Sequence, residues 1–267
     1  MKDFELRYVQ LIQKIMHEGE LREGRNGNTR ALFGESFSFD MSDSPYFPLL
    51  LGRKIFFKGI LGELAAFLRG PKSIADFEKF GCNYWKLWGK EDGSINVDYG
   101  NLWTDWNGYN QLEKLLTTLK NNPTDRRMII SSWKPDTMDQ LDLPCCHYSY
   151  QWFVRKGEYL DMIWTQRSCD TMIGLPSDIV LAATLNLLIA NEVGLKPGRI
   201  KMDLGDTHIY EEHFSSIDQY INNVVHGNKA RPRYYISVAT DLLTFDPYHL
   251  GILGYNPTEV IKFELKG

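Results

Sequence analysis

Apolar residues recur at helical spacing near the N-terminus, where Phe4, Tyr8, Leu11, Ile12 and Ile15 predict an amphipathic helix. The same period returns over 60–69, closed by Gly70-Pro71, and over 111–119, closed by Asn121-Asn122-Pro123. Period-two alternation marks strands at 33–39, 128–133, 148–154 and 159–165. A shorter strand is carried by Ile200, Met202 and Leu204, and another by 234–238. Residues 178–193 are apolar on nearly every side, which predicts a helix buried all round. A polar helix is expected after His208. Helices and antiparallel-looking strands mix without a βαβ rhythm, so the fold class read from the pattern is α+β. No repeat, low-complexity stretch or long linker divides 1–267, and one domain is expected.

Composition narrows the function classes. With 43% hydrophobic and 24% charged residues the chain is an ordinary globular sequence, and its net charge of −4 supplies no global positive field for nucleic acid. The N-terminus is charged within its first five residues and lacks an apolar leader core. No apolar run reaches the roughly 18 residues of a spanning helix; the longest, 179–190, is interrupted by Thr184 and Asn186. Four cysteines, two of them adjacent, do not make a disulfide framework. A soluble cytoplasmic protein is expected, with reduced thiols and with neither membrane nor nucleic acid as a partner.

Candidate chemistry is scattered along the chain. Cys146-His147 reads either as a nucleophile whose thiolate is favoured by positive charge nearby, or as a buried, inert thiol. Cys145, behind Pro144, reads as structural, and no second Cys or His stands at ligand spacing, so no metal site is expected. Arg126-Arg127 leads into a strand, Arg167-Ser168 ends another, and Arg25 lies in the turn-rich loop 23–29. Guanidinium forks and a hydroxyl suit phosphate oxygens. Salt bridges with Asp125 or Asp170 are the plainer alternative for any one arginine, but the set together points to one dianionic ligand. Glu63 lies among apolar helix positions, as a functional buried acid or on a solvated helix face. Tyr84, Trp85 and Trp88 make core packing or a platform for a flat heterocycle. Asp206-Thr207-His208-Ile209-Tyr210 reads as a turn presenting His208 and Tyr210 to a hydroxyl, or as a helix cap.

In this order the pieces resemble the thymidylate synthase family over nearly the whole chain. The resemblance rests on Phe47-Pro48-Leu49, Gly62-Glu63-Leu64, Trp85 with Trp88, Tyr99-Gly100, Asp125-Arg126-Arg127 and Cys146-His147. It continues through Gln166-Arg167-Ser168-Cys169-Asp170, Gly174-Leu175-Pro176, Gly205 to Tyr210 and Gly254-Tyr255-Asn256-Pro257. It implies a single α+β domain with a mixed sheet packed with helices, dimerising across that sheet. It also implies a nucleoside 5′-monophosphate substrate and 5,10-methylenetetrahydrofolate as co-substrate. By motif, Cys146 becomes the nucleophile at pyrimidine C6, with His147 beside it, and Glu63 and Tyr99 handle protons. Arg25, Arg167 and Ser168 hold the phosphate, joined by Arg126 and Arg127 of the other subunit. His208 and Tyr210 take the sugar 3′-hydroxyl. Asp170 borders substrate and folate, and Trp85, Trp88, Gly174 and Ser177 line the folate site.

One departure carries information. Uracil-specific members have Phe-Asn where this chain has Ser177-Asp178. An Asn amide matches the N3–H and O4 of uracil; cytosine presents the opposite pair, which an acid sharing its proton matches. Asp at this place resembles the deoxycytidylate hydroxymethylases and dCMP methylases of phages, which act in the host cytoplasm; a helix cap is the alternative for Asp178. Ser177, and a C-terminal 262–267 unlike the small apolar tail of reductive members, favour water over hydride as the final acceptor. The expected activity is C5 hydroxymethylation of dCMP. Reductive methylation of dCMP or dUMP, and a catalytically silent binding homologue, are the alternatives.

Overall fold

The computed structural model describes residues 4–42, 45–227, 230–237 and 241–266. Helix α1 (Phe4–Glu18) forms where its period predicts and buries Tyr8, Ile12 and Ile15. Strand β1 (Glu20–Arg22) pairs antiparallel with the start of β2 (Thr29–Asp40), so the loop carrying Arg25 is a hairpin connection. Helices α2 (Phe57–Phe67), α3 (Ile74–Glu78), α4 (Asn101–Thr104) and α5 (Gln111–Asn121) follow. Then come β3 (Ile129–Ser131), β4 (His147–Arg155), β5 (Tyr159–Asp170), α6 (Gly174–Glu192) and β6 (Lys196–Tyr210). Helix α7 (Ile217–His226) and the small pair β7 (Arg233–Ile236) and β8 (Leu250–Leu253) end the order. The predicted strand reached Val238, which lies outside the described residues.

The main sheet has six strands in the order β1-β2-β6-β5-β4-β3, mixed and packed against helices, which is the α+β class expected. One expectation is corrected: β5 and β6 run parallel, not antiparallel. Parallel neighbours need a long crossover, and α6 supplies it. α6 packs on β5, β6 and α2, and its Leu and Ile side chains are buried, each contributing roughly 1.5–3 kcal/mol. Its two polar interruptions donate internally, Thr184 to the Val180 carbonyl at 2.7 Å and Asn186 to the Leu160 carbonyl at 2.9 Å, while Asn186 Oδ1 meets no donor among the described residues. By length and composition this helix is apolar enough to cross a membrane, contrary to the reading of the sequence; 83% of its most apolar stretch is buried inside the fold, as in a core helix.

Two further boundaries differ. α6 begins at Gly174, because Pro176 falls in the first turn, where its missing N–H has no helical partner to lose. Strand β6 absorbs the predicted turn at 206–210. It is paired on both sides there, Tyr210 with Thr29 of β2 and His208 with Asp170 of β5, and two ladders outweigh local turn preference. The helix expected after His208 is a 3-10 turn, Glu211–Ser216, followed by α7, which is amphipathic and buries Ile217, Tyr220 and Val224. On the other side of the sheet, Ile129, Gln151, Ile163, Lys201 and Ser38 pair in one exposed row from β3 to β2.

Candidate active site

A cavity of about 640 Å³ opens where β5 and β6 end, beside the start of β4 and the first turns of α6. Its walls include Arg25, Glu63, Trp85, Trp88, Tyr99, Cys146, His147, Arg167, Ser168 and Asp170. Gly174, Ser177, Asp178, His208 and Tyr210 complete the predicted set. Residues separated by up to 185 positions therefore meet in one concavity of ligand size.

Cys146 precedes β4, and the chain around it is held from two sides. Arg167 donates through its backbone N–H to the Cys146 carbonyl at 2.8 Å. Its guanidinium donates through Nε to the Cys145 carbonyl at 2.8 Å and through Nη2 to the Pro144 carbonyl at 3.1 Å, which parks a cation beside the thiol. The Tyr99 hydroxyl accepts the Cys146 N–H at 2.5 Å. Gly100 makes that placement possible: its φ is +66°, and a Cβ there would meet the Phe67 carbonyl oxygen at 2.1 Å. Burial pushes the Cys146 thiol up, and Arg167 opposes without winning; Asp178 and Asp170 push the same way as burial. The thiol is thus desolvated beside a cation, and burial outweighs that charge. Burial likewise raises the Tyr99 phenol. Cys145 is fully buried, as its structural reading requires.

Glu63 is not on a solvated face. It is 7% exposed, and both oxygens are taken: Trp85 Nε1 donates to Oε1 at 2.6 Å and the Tyr84 hydroxyl to Oε2 at 2.8 Å. Burial pushes its carboxyl up to about 7 despite those two donors. His147 is buried, with Nδ1 2.6 Å from the Tyr150 hydroxyl, and burial holds its imidazole down near about 3, so the ring is neutral.

Asp178 is 8% exposed and stands in the second turn of α6, whose N-cap is Ile173. The helix-cap alternative is therefore excluded, since a cap must precede the first helical residue. Gln166 Nε2 donates to Asp178 Oδ2 at 2.7 Å, while Oδ1 lies 3.8 Å from His147 Nε2, beyond hydrogen-bonding distance. Burial holds the Asp178 carboxyl well above the usual carboxylate range; Glu63 adds to this and the Gln166 donor opposes it.

The rim is basic and hydroxylic. Arg25 is exposed on its hairpin loop, and parallel pairing of β5 with β6 sets Ser168 against Asp206 and Asp170 against His208. Gly205 allows this close approach, since a Cβ there would meet the Arg167 carbonyl oxygen at 2.6 Å. His208 and Tyr210 alternate along β6 with rings 5.3 Å apart, and His208 Nδ1 lies 2.8 Å from Asp206 Oδ1. They belong to a strand, so both the turn and the helix cap are corrected. Asp170 accepts the Met172 and Ile173 N–H groups at 2.9 and 3.2 Å, closing the turn into α6. Arg126 and Arg127 do not join this rim within one chain. Both are exposed, and Arg127 is ion-paired to Asp125 at 2.9 Å with its side chain 89% accessible.

The aromatic wall divides in two. Trp85 is core, stacked on Phe77 at 4.7 Å, with its N–H committed to Glu63. Trp88 is half-buried and its indole N–H meets no acceptor among the described residues, so a flat, polar-edged heterocycle fits beside it. Ser177 turns its hydroxyl back to the Ile173 carbonyl at 3.2 Å, and Gly174 leaves that wall open. Reading the sequence missed several wall residues. Tyr84 entered only as an aromatic, and Gln166, which stands behind the wall against Asp178, only within a motif. Arg53 was not singled out, although it donates to the Met172 carbonyl and lies 4.8 Å from the Phe263 ring. Leu265 and Lys266 reach the cavity, with Lys266 paired to Glu212 at 2.7 Å.

Comparison with known proteins agrees with this assembly. A family model described as thymidylate synthase matches residues 6–266. The chain is 31% identical over 264 residues to a thymidylate synthase of Corynebacterium aurimucosum, covering 97% of this chain and 96% of that protein. With the match spanning the cysteine, the arginine beside it and the carboxylates of the cavity, the chain belongs to the thymidylate synthase family.

Proposed function

We propose that this protein transfers a one-carbon unit from 5,10-methylenetetrahydrofolate to C5 of dCMP and releases the 5-hydroxymethyl nucleotide, as a single-domain subunit of a homodimer. The observation that carries the choice of base is Asp178, buried in the cavity with one oxygen held by Gln166 and the other without a donor among the described residues. An open carboxyl oxygen accepts from the 4-amino group of cytosine, and an acid that keeps its proton readily shares it with N3. Uracil turns an O4 lone pair toward the same oxygen, and the resulting unpaired polar contact disfavours it.

The folate co-substrate supplies the methylene carbon. Cys146 adds its sulfur to C6, which gives C5 the electron density to attack that carbon; C5 then loses its proton as tetrahydrofolate departs, water adds to the exocyclic methylene, and the sulfur is expelled from C6. Arg167 neutralises the thiolate as it forms, and lies where the phosphate joins Arg25 and Ser168. Glu63, titrating near about 7, and Tyr99, bonded to the Cys146 backbone, move protons at the ring. His208 and Tyr210 take the 3′-hydroxyl. Trp88, Gly174, Asp170 and Ser177 face the folate, with Trp85 behind them. The exposed row through Ile129, Ile163 and Lys201 supports dimerisation across the sheet, and the exposure of Arg126 and Arg127 beside β3 supports a role for them at the other subunit's phosphate.

Small, polar Ser177 and the charged tail at Lys266 support water as the final acceptor. Trp85 and Cys146-His147 favour the second reading, reductive methylation. Incubation with the folate and either nucleotide separates them. A product heavier by CH₂O from dCMP, without dihydrofolate, is expected. Stoichiometric dihydrofolate overturns hydroxymethylation, preferential use of dUMP overturns the choice of base, and no turnover of either nucleotide overturns the enzymatic reading.

A further inference from the structure

The least explained polar contact of the cavity wall is the one behind Asp178. Gln166 is 2% exposed, and every hydrogen-bonding group of its amide has a partner. Oε1 accepts from Trp164 Nε1 at 3.2 Å; Nε2 donates to Asp178 Oδ2 at 2.7 Å and to the Ser168 carbonyl at 3.4 Å. The reversed amide would set Oε1 against the Ser168 carbonyl and Nε2 against an indole N–H, like facing like at both contacts. The orientation is thus set by the donor and acceptor types of its neighbours.

Trp164 is itself immobile. It is fully buried, its ring lies 4.4 Å from the His147 ring and 4.8 Å from the Tyr150 ring, and it shares the inward face of β5 with Gln166. We infer that Trp164 and Gln166 are positioning residues for base selection: the indole orients the Gln166 amide, which occupies Oδ2 of Asp178 and turns Oδ1 toward the pyrimidine. This rests on the reading of Asp178 as the base-recognising residue. The amide donor also favours the ionised acid, whose open Oδ1 only accepts; without it Asp178 holds its proton more firmly, and a protonated oxygen donates to O4 of uracil as readily as a carboxylate accepts from the cytosine amine. The amide is therefore a device for discrimination between amino- and oxo-substituted rings more than for affinity.

The test is the ratio of kcat/KM for dCMP over dUMP in the full-length protein, with Asp178→Asn as reference. Gln166→Met, close in volume and without the donor, is expected to lower the ratio about tenfold, and Trp164→Phe about threefold, the span of one to two ordinary hydrogen bonds. A reference variant that leaves the ratio unchanged overturns the reading of Asp178 itself. A reference that moves the ratio while Gln166→Met leaves it in place overturns this inference alone. So does an equal loss on both nucleotides, which is what a merely structural role produces. Should Trp164→Phe fail to fold, Gln166→Met, which keeps the indole, decides the matter, with equilibrium nucleotide binding as a second readout of the same ratio.

Discussion

Glu63 and Asp178 stand on two helices packed against each other, α2 and α6, and are buried to nearly the same extent. Burial raises both carboxyls, and the charge of Glu63 raises Asp178 further. Their hydrogen bonds separate them. Both oxygens of Glu63 are engaged by donors on one short segment, Tyr84 and Trp85, whereas Asp178 has one oxygen engaged and one open. Burial alone makes a carboxyl a proton store; an unengaged oxygen makes it a ligand. The arginine rim contrasts with both acids, since Arg25 and Arg167 are exposed.

The comparison presupposes that both acids serve one sulfur, so the largest expected effect tests that first. Cys146→Ala is expected to lower turnover of any nucleotide by at least about 10³-fold while leaving nucleotide binding measurable by calorimetry. Retained turnover breaks the scheme for both acids at once.

Glu63→Gln is next, with about 10²-fold lower kcat on every accepted nucleotide in steady-state assays. It also changes stability in a defined direction. The folded carboxyl titrates near about 7 against an ordinary 4.5, so below 4.5 folded and unfolded chains both hold the proton. Between those values the unfolded chain ionises first, and stability falls as pH rises, by on the order of 3 kcal/mol from this group. Denaturant midpoints measured at several pH values across that window should show the fall in the parent protein and a flatter profile in Glu63→Gln. An unchanged profile means Glu63 is not held protonated by the fold.

Asp178→Asn is expected to move the dCMP-over-dUMP ratio by about 30-fold toward dUMP, with a smaller change in the sum of the two activities. Equal loss on both nucleotides makes Asp178 a second proton store and erases the contrast with Glu63. The smallest effect is the sharpest probe of the donors. Tyr84→Phe removes a hydrogen bond to the ionised Glu63 and should shift the limb of the pH–rate profile belonging to Glu63 upward by less than about one pH unit. A downward shift rules out Tyr84 as its donor.

Where local pattern and tertiary structure agreed, one strong period was at work. α1 and α5 were readable because apolar positions recur at 3.6-residue spacing, and α5 closes at the Asn-Asn-Pro run. Cys146, Arg167, Asp170 and His208, which line the cavity, were readable because each lies in a short run of distinctive residue types, Cys-His, Gln-Arg-Ser-Cys-Asp and Asp-Thr-His-Ile-Tyr. The start of α6 was not, since Gly174-Leu175-Pro176 carries residues that usually end helices, and only the free first-turn N–H positions accommodate the proline. The end of β6 was not, because pairing with β2 and β5 is non-local.

The sequence by itself determined which side chains are available: a thiol beside a histidine, a set of arginines, and an acid at position 178. Only tertiary structure decided what each is free to do. Desolvation keeps the proton on Cys146, Tyr84 and Trp85 close both oxygens of Glu63, and Gln166 closes one oxygen of Asp178. Protonation and open hydrogen-bonding positions depend on which groups stand within about 3 Å, and in this chain those groups come from helices and strands far apart in sequence.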